Sequence, residues 1–137
     1  YQDKNLAITA IARDLDNHVF ITEFDIANSS STAELYFSTD DFFLFDSTGG
    51  NDGMGTGPMT TEMAAYLVSC SDARFQVVGI SSMNKMALVT TQISPLHRLH
   101  GQLYWLTRNY EPPYYVKGKL TIGGNANFVL FKFNPRH

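Results

Sequence analysis

One stretch, His18 to Asp46, limits what this chain can fold into more than any other. It reads HVFITEFDIANSSSTAELYFSTDDFFLFD. Phe20, Phe24 and Ile26 recur at even positions, with Thr22 as the polar exception. Ala33, Leu35 and Phe37 then alternate with Glu34, Tyr36 and Ser38, the period of two that suits a half-buried strand. Between these runs lies Asn28-Ser29-Ser30-Ser31-Thr32, small polar residues whose side chains bond nearby backbone and so favour a turn. Ser38-Thr39-Asp40 reads as a second turn, and Phe42 to Phe45 as a third strand. Three consecutive strands with one apolar face require a second sheet to cover it.

The rest of the chain keeps the same habit. Leu6, Ile8, Ala10 and Ala12 share one face of a strand that Asp14 to Asn17 turns back into the strand from His18, as a hairpin or a corner. Residues 47–58 contain five glycines and a proline and read as a loop. Met59 to Val68 is the one credible helix, opened by Thr60, Thr61 and Glu62, although Tyr66-Leu67-Val68 suits a strand equally well. Strands are expected over Phe75–Ser81, Lys85–Ile93, Gly101–Thr107, Tyr114–Ile122 and Asn127–Phe133, with turns at Ser94-Pro95, Pro112-Pro113 and Gly123-Gly124. The expected fold is all-β: an immunoglobulin-like two-sheet antiparallel sandwich of about nine or ten strands with at most one short helix. Residues 1–137 read as a single domain, long enough to bury a core. That core should hold Phe20, Phe24, Ile26, Leu35, Phe37, Phe42, Leu44, Leu103, Trp105, Val129 and Phe131.

The order of these features resembles the telokin-like, immunoglobulin-like family of secreted bacterial and archaeal surface proteins. The resemblance is carried by the polar turn Asn28-Ser29-Ser30, by Asp41-Phe42-Phe43-Leu44-Phe45-Asp46, and by Gly101-Gln102-Leu103-Tyr104-Trp105. The family's Pro-Gly turn before the last of these is replaced by Ser94-Pro95 and His97-Arg98-Leu99-His100. The resemblance implies an extracellular or cell-surface location and no catalytic residues. A start at Tyr1 without methionine fits a processed N-terminus.

Charge and motifs narrow the function classes. Residues 1–62 hold eleven acidic and two basic side chains, a balance of −9, and the remainder balances at +6. If these became two patches, Asp40, Asp41 and Asp52 on one copy would face Arg98, Arg108, Lys117 and Lys119 on the next, head to tail. Scattered basic residues and a pI of 5.7 argue against nucleic acid. No apolar run approaches a membrane span. Cys70 stands alone and reads as a small buried hydrophobe.

No GxSxG, HExxH or phosphate-gripping loop occurs, so the expectation is a non-enzyme without a cofactor. Asp46 and Asp52 on the glycine-rich loop, and His97 with His100, are weak metal candidates, the first pair for calcium and the second for copper. Asn28-Ser29-Ser30 fits a glycosylation acceptor in an exposed turn. Tyr104, Arg108, Tyr110, Tyr114, Tyr115, Lys117 and Lys119 form the candidate interaction surface, since aromatics with a polar handle suit interfaces. The expected role is an interaction module working by protein–protein contact, including self-association as a subunit of a surface fibre. The alternatives are a secreted metal- or carbohydrate-binding module and a small hydrolase.

Overall fold

Alternation along each strand decides which side chains meet, and pairing decides against what. The computed structural model describes residues 5–14, 18–46, 55–69, 87–108 and 110–134. They form β1 (Leu6–Asp14), β2 (Val19–Asn28), β3 (Leu35–Phe45), α1 (Thr61–Ser69), β4 (Thr91–Ile93), β5 (Arg98–Leu106), β6 (Tyr114–Ile122) and β7 (Asn125–Phe133). Two antiparallel sheets result, a three-stranded one in the order β1-β2-β5 and a four-stranded one in the order β4-β3-β6-β7. Among the described residues there are thus seven strands and one short helix. The expected strand at Phe75–Ser81 and Cys70 lie outside the described residues. Of the strand expected at Lys85–Ile93, only Thr91–Ile93 is a strand among the residues described.

The apolar faces of the two sheets meet in one core. Phe20, Phe24, Ile26, Leu103 and Trp105 come from the three-stranded sheet, and Leu35, Phe37, Phe42, Leu44, Val116, Leu120 and Val129 from the other. Rings interlock across the gap: Phe24 stands edge-on to Phe42 at 5.8 Å and to Phe131 at 5.7 Å, and Phe20 to Tyr114 at 5.0 Å. Such edge-to-face pairs add roughly 0.5–1.5 kcal/mol each to the area they bury. Thr22, the polar exception in the sequence pattern, is fully buried because its Oγ1 accepts a 2.9 Å bond from Trp105 Nε1. A buried indole N–H needs such a partner, so the break in the apolar pattern belongs to the core.

The turn expected at Ser38-Thr39-Asp40 is a correction. These residues lie inside β3, whose register against β6 jumps from Phe37↔Leu120 to Phe42↔Gly118. Five residues on β3 therefore span two on β6, an excess of three. An odd excess reverses the facing, so Phe37 and Phe42 both point inward although five apart in sequence. Gly118 is the residue opposite Phe42, and the ring lies over it so closely that an added Cβ would collide with the ring carbons.

Asn28 corrects a second expectation. Its side chain is buried, not exposed in a turn. Nδ2 donates to Ala33 O and Ile93 O, both at 2.9 Å, and Oδ1 accepts from Ser30 N at 3.1 Å. Ser30 Oγ in turn accepts from Thr32 N and Ala33 N. Here the chain passes from β2 to β3 and later from β4 to β5, and Asn28 joins both crossings. With its amide nitrogen engaged and covered, it offers no acceptor for a glycan.

The outer face of the three-stranded sheet is partly covered by α1. Thr60 caps the helix, its Oγ1 accepting from Met63 N at 3.2 Å. Ala64 packs with Val19, Ile21 and Tyr104 in a second small core, with Met59, Leu67 and Ala87 against it. No helix among the described residues is long and apolar enough to cross a membrane.

Candidate interaction surface

β3, β6 and β7 carry their inward side chains in the main core, which sends the alternate set outward. On β3 that set includes Tyr36, Phe43 and Phe45, on β6 Tyr115, Lys117 and Lys119, and on β7 Phe128, Leu130 and Lys132. Register lines them up in rows across the sheet. Phe45, Tyr115 and Lys132 form one row; Phe43, Lys117 and Leu130 the next; Lys119 and Phe128 the third. Phe128 is 72% exposed, Leu130 56% and Phe43 42%. Together these side chains present on the order of 300 Å² of apolar surface, comparable to the largest patch on an ordinary monomer.

Cations are interleaved with the rings. Lys117 Nζ lies 4.8 Å from the centroid of Phe45, a cation–π distance. Lys119 Nζ lies 3.9 Å from Asp41 Oδ1. Asp41, Phe43, Phe45, Lys117, Lys119 and Phe128 surround a shallow hollow of about 290 Å³.

The residues expected to make the surface divide. Tyr104 and Tyr114 are core residues, 1% and 4% exposed, which corrects their reading as surface groups. Tyr104 Oη donates to Gln102 Oε1 at 2.8 Å beneath α1, and burial pushes its pKa up to about 12. Burial likewise raises Tyr114. Tyr110 packs half-buried against the main core. Arg108 is exposed, and Tyr115, Lys117 and Lys119 lie on the face described above.

Among the described residues part of the charge asymmetry folds back on itself. Arg98 grips Asp25 at 2.8 and 3.2 Å, His100 Nε2 lies 3.1 Å from Glu23 Oε1, and Lys119 sits beside Asp41. Asp25 and Asp41 of the acidic first half thus pair with Arg98 and Lys119 of the second, because β5 and β6 insert beside β2 and β3. Asp41 and Lys119, expected on opposite surfaces, are neighbours. Asp40 is exposed near the β3 irregularity, and Asp52 lies outside the described residues.

His97 and His100 do not converge, and the Asp46–Asp52 pair cannot be placed because Asp52 lies outside the described residues. His97 Nδ1 is 2.9 Å from Pro95 O in a turn, whereas His100 projects from β5 toward Glu23. Two histidines three apart share a face on a helix, and this segment is a turn entering a strand. Asp46 is buried, with Oδ2 accepting from Glu111 N at 3.4 Å. Among the described residues no group of three or more His, Cys, Asp or Glu is placed to hold a metal.

Phe43, Phe45, Phe128, Leu130 and Lys132 were absent from the expected surface. Their signal is present in the sequence: Phe42 to Phe45 and Phe128 to Phe131 are unbroken apolar runs, whereas a strand with one wet face should alternate. One parity of each run had to point away from the core. Comparison with family models, curated proteins and solved structures finds no match to the chain.

Proposed function

We propose that this chain is a non-enzymatic interaction module that works by protein–protein contact through the outer face of its four-stranded sheet. The observation that carries the reading is the set of exposed Phe43, Phe128 and Leu130 in register with Lys117, Lys119 and Lys132 on one rigid surface. Interface cores are rich in aromatics, and interleaved cations keep such a surface soluble while favouring partners with acidic or π-rich contacts. Two sheets closed over an aromatic core also support the finer reading of an immunoglobulin-like sandwich. An extracellular or cell-surface location rests on the resemblance carried by Asn28–Ser30, Asp41–Asp46 and Gly101–Trp105.

The test is a photo-crosslinking residue placed at Phe128, with Thr9 on the opposite sheet as the control position, in cells of the source organism. Protein adducts from position 128 and none from position 9 are the expected result. Equal labelling from both positions, or none from either, would overturn the proposal.

A further inference from the structure

The exposed patch ends at β7, an edge strand among the described residues, and that edge says more than the face does. Among the described residues β7 pairs with β6 alone, in nine consecutive register pairs without a bulge. Its sequence, NANFVLFKF, contains no proline and a single charge, Lys132. Long edge strands in soluble proteins are normally blunted by charges, proline, bulges or a covering segment. β1, one edge of the other sheet, carries Arg13 and Asp14 near one end. β7 instead shows apolar groups on both faces: Phe128 and Leu130 outside, and Phe131 and Phe133 only partly buried inside.

We propose that β7 pairs antiparallel with β7 of a second copy of this chain, with the two-fold axis at Val129, joining the two four-stranded sheets into one continuous sheet. The proposal rests on the reading of this face as a protein-contact surface. It replaces an open head-to-tail fibre with a closed pair.

Geometry restricts the register. Residues opposite each other in an antiparallel pair face the same side, so a two-fold between identical strands must fall on a residue, not between two. An axis at Val129 lets all nine residues pair. It sets Phe128 of each copy against Leu130 of the other, so the two most exposed apolar side chains of β7 cover one another. It sets Lys132 against Ala126, so no like charges meet. An axis at Lys132 would oppose the two ammonium groups and shorten the overlap. Arg98 pairs with Asp25 and Lys119 with Asp41 inside one chain, which withdraws these charges from a head-to-tail contact. An isologous contact closes on itself at two copies. The shared edge is about 30 Å long and buries on the order of 1,000 Å² in total, the low end of specific interfaces, so the dimer is concentration-dependent in the micromolar range.

Sedimentation equilibrium on the full chain from 5 to roughly 500 μM tests this, the upper limit lying far above the affinity expected of so small an interface. The expected result is a monomer–dimer equilibrium that Leu130→Lys weakens at least tenfold. Val89→Lys, an exposed apolar site off this edge, should leave it unchanged. Near-UV circular dichroism identical to wild type shows that the variant monomers are folded. Register is read separately from a spin label at Lys132→Cys in a Cys70→Ser background. An axis at Val129 offsets the two labelled positions by six residues, about 20 Å along the strand. A chain that stays monomeric throughout, a dimer that both lysine variants leave intact, or labels that show no such separation would overturn the proposal. Adducts from position 128 to an unrelated protein, in a chain that stays monomeric, would sustain the contact function and reject the dimer.

Discussion

Replacing Asn28 tests whether one buried amide holds both sheet crossings together. Asn28→Ala removes two bonds donated to Ala33 O and Ile93 O and one accepted from Ser30 N. The site is covered, so water does not replace the lost partners without entering the core edge. Each stranded polar group costs about 1–3 kcal/mol, and three of them suggest a loss of about 4 kcal/mol. Against a typical domain stability of roughly 5–15 kcal/mol this is a large fraction. With a urea slope of about 2 kcal/mol/M, the unfolding midpoint should fall by about 2 M at unchanged slope. Asn28→Asp separates hydrogen bonding from shape. At neutral pH its carboxylate would face two carbonyl oxygens, so it should be at least as damaging as alanine. Protonation restores one donor, so its deficit should shrink as pH falls toward 4. An alanine variant within 1 kcal/mol of wild type, or an aspartate variant equal to wild type at pH 7, would show that the crossings do not depend on this residue. Intact mass of native protein should show Asn28 bare.

Phe42→Ala should cost about 3–5 kcal/mol in chemical denaturation, because a fully buried ring is lost from between the sheets. Gly118→Ala should cost about 1–3 kcal/mol through collision with that same ring, and the two together should cost less than their sum. A strictly additive pair would mean that the contact is relieved elsewhere. Tyr104 supplies a pH signature. Its ordinary pKa of 10.0 is pushed up to about 12 in the fold, so above pH 10 the unfolded chain sheds a proton that the folded chain keeps. Stability present below pH 10 is therefore lost as pH rises through 12, by about 2–3 kcal/mol for this group. Tyr104→Phe should flatten that part of the pH profile, and an unchanged slope would assign it to other groups. Thr60→Ala should cost about 1 kcal/mol by uncapping α1, with the main-core aromatic signal undisturbed in near-UV spectra.

Much of the fold was legible because strand alternation is a local property. Phe20, Phe24 and Ile26, Leu35 and Phe37, and Leu103 and Trp105 alternate in sequence and are buried in the structure. The Tyr114–Ile122 strand was readable for the same reason, whereas Tyr66-Leu67-Val68 suited strand and helix alike and lies in α1. The candidate surface was less legible. Tyr104 and Tyr114 resembled interface tyrosines, and only the helix laid over the first and the sheet packed against the second made them interior. Asn28 carried the marks of an exposed acceptor in a turn until the carbonyl of Ile93, 65 residues on, arrived to accept a hydrogen bond from its side-chain amide. The β3 irregularity, which turns Phe42 inward and Phe43 outward, depends on pairing with β6 and so cannot be counted from β3 alone. The sequence by itself determined that the chain would be mostly strand and how much apolar material those strands carried. Which face of β3 and β7 met the core, and which charges found partners, was decided by register between strands far apart in the chain. Alternation fixes two faces but not their assignment, and only the energy of packing both sheets together chooses between them.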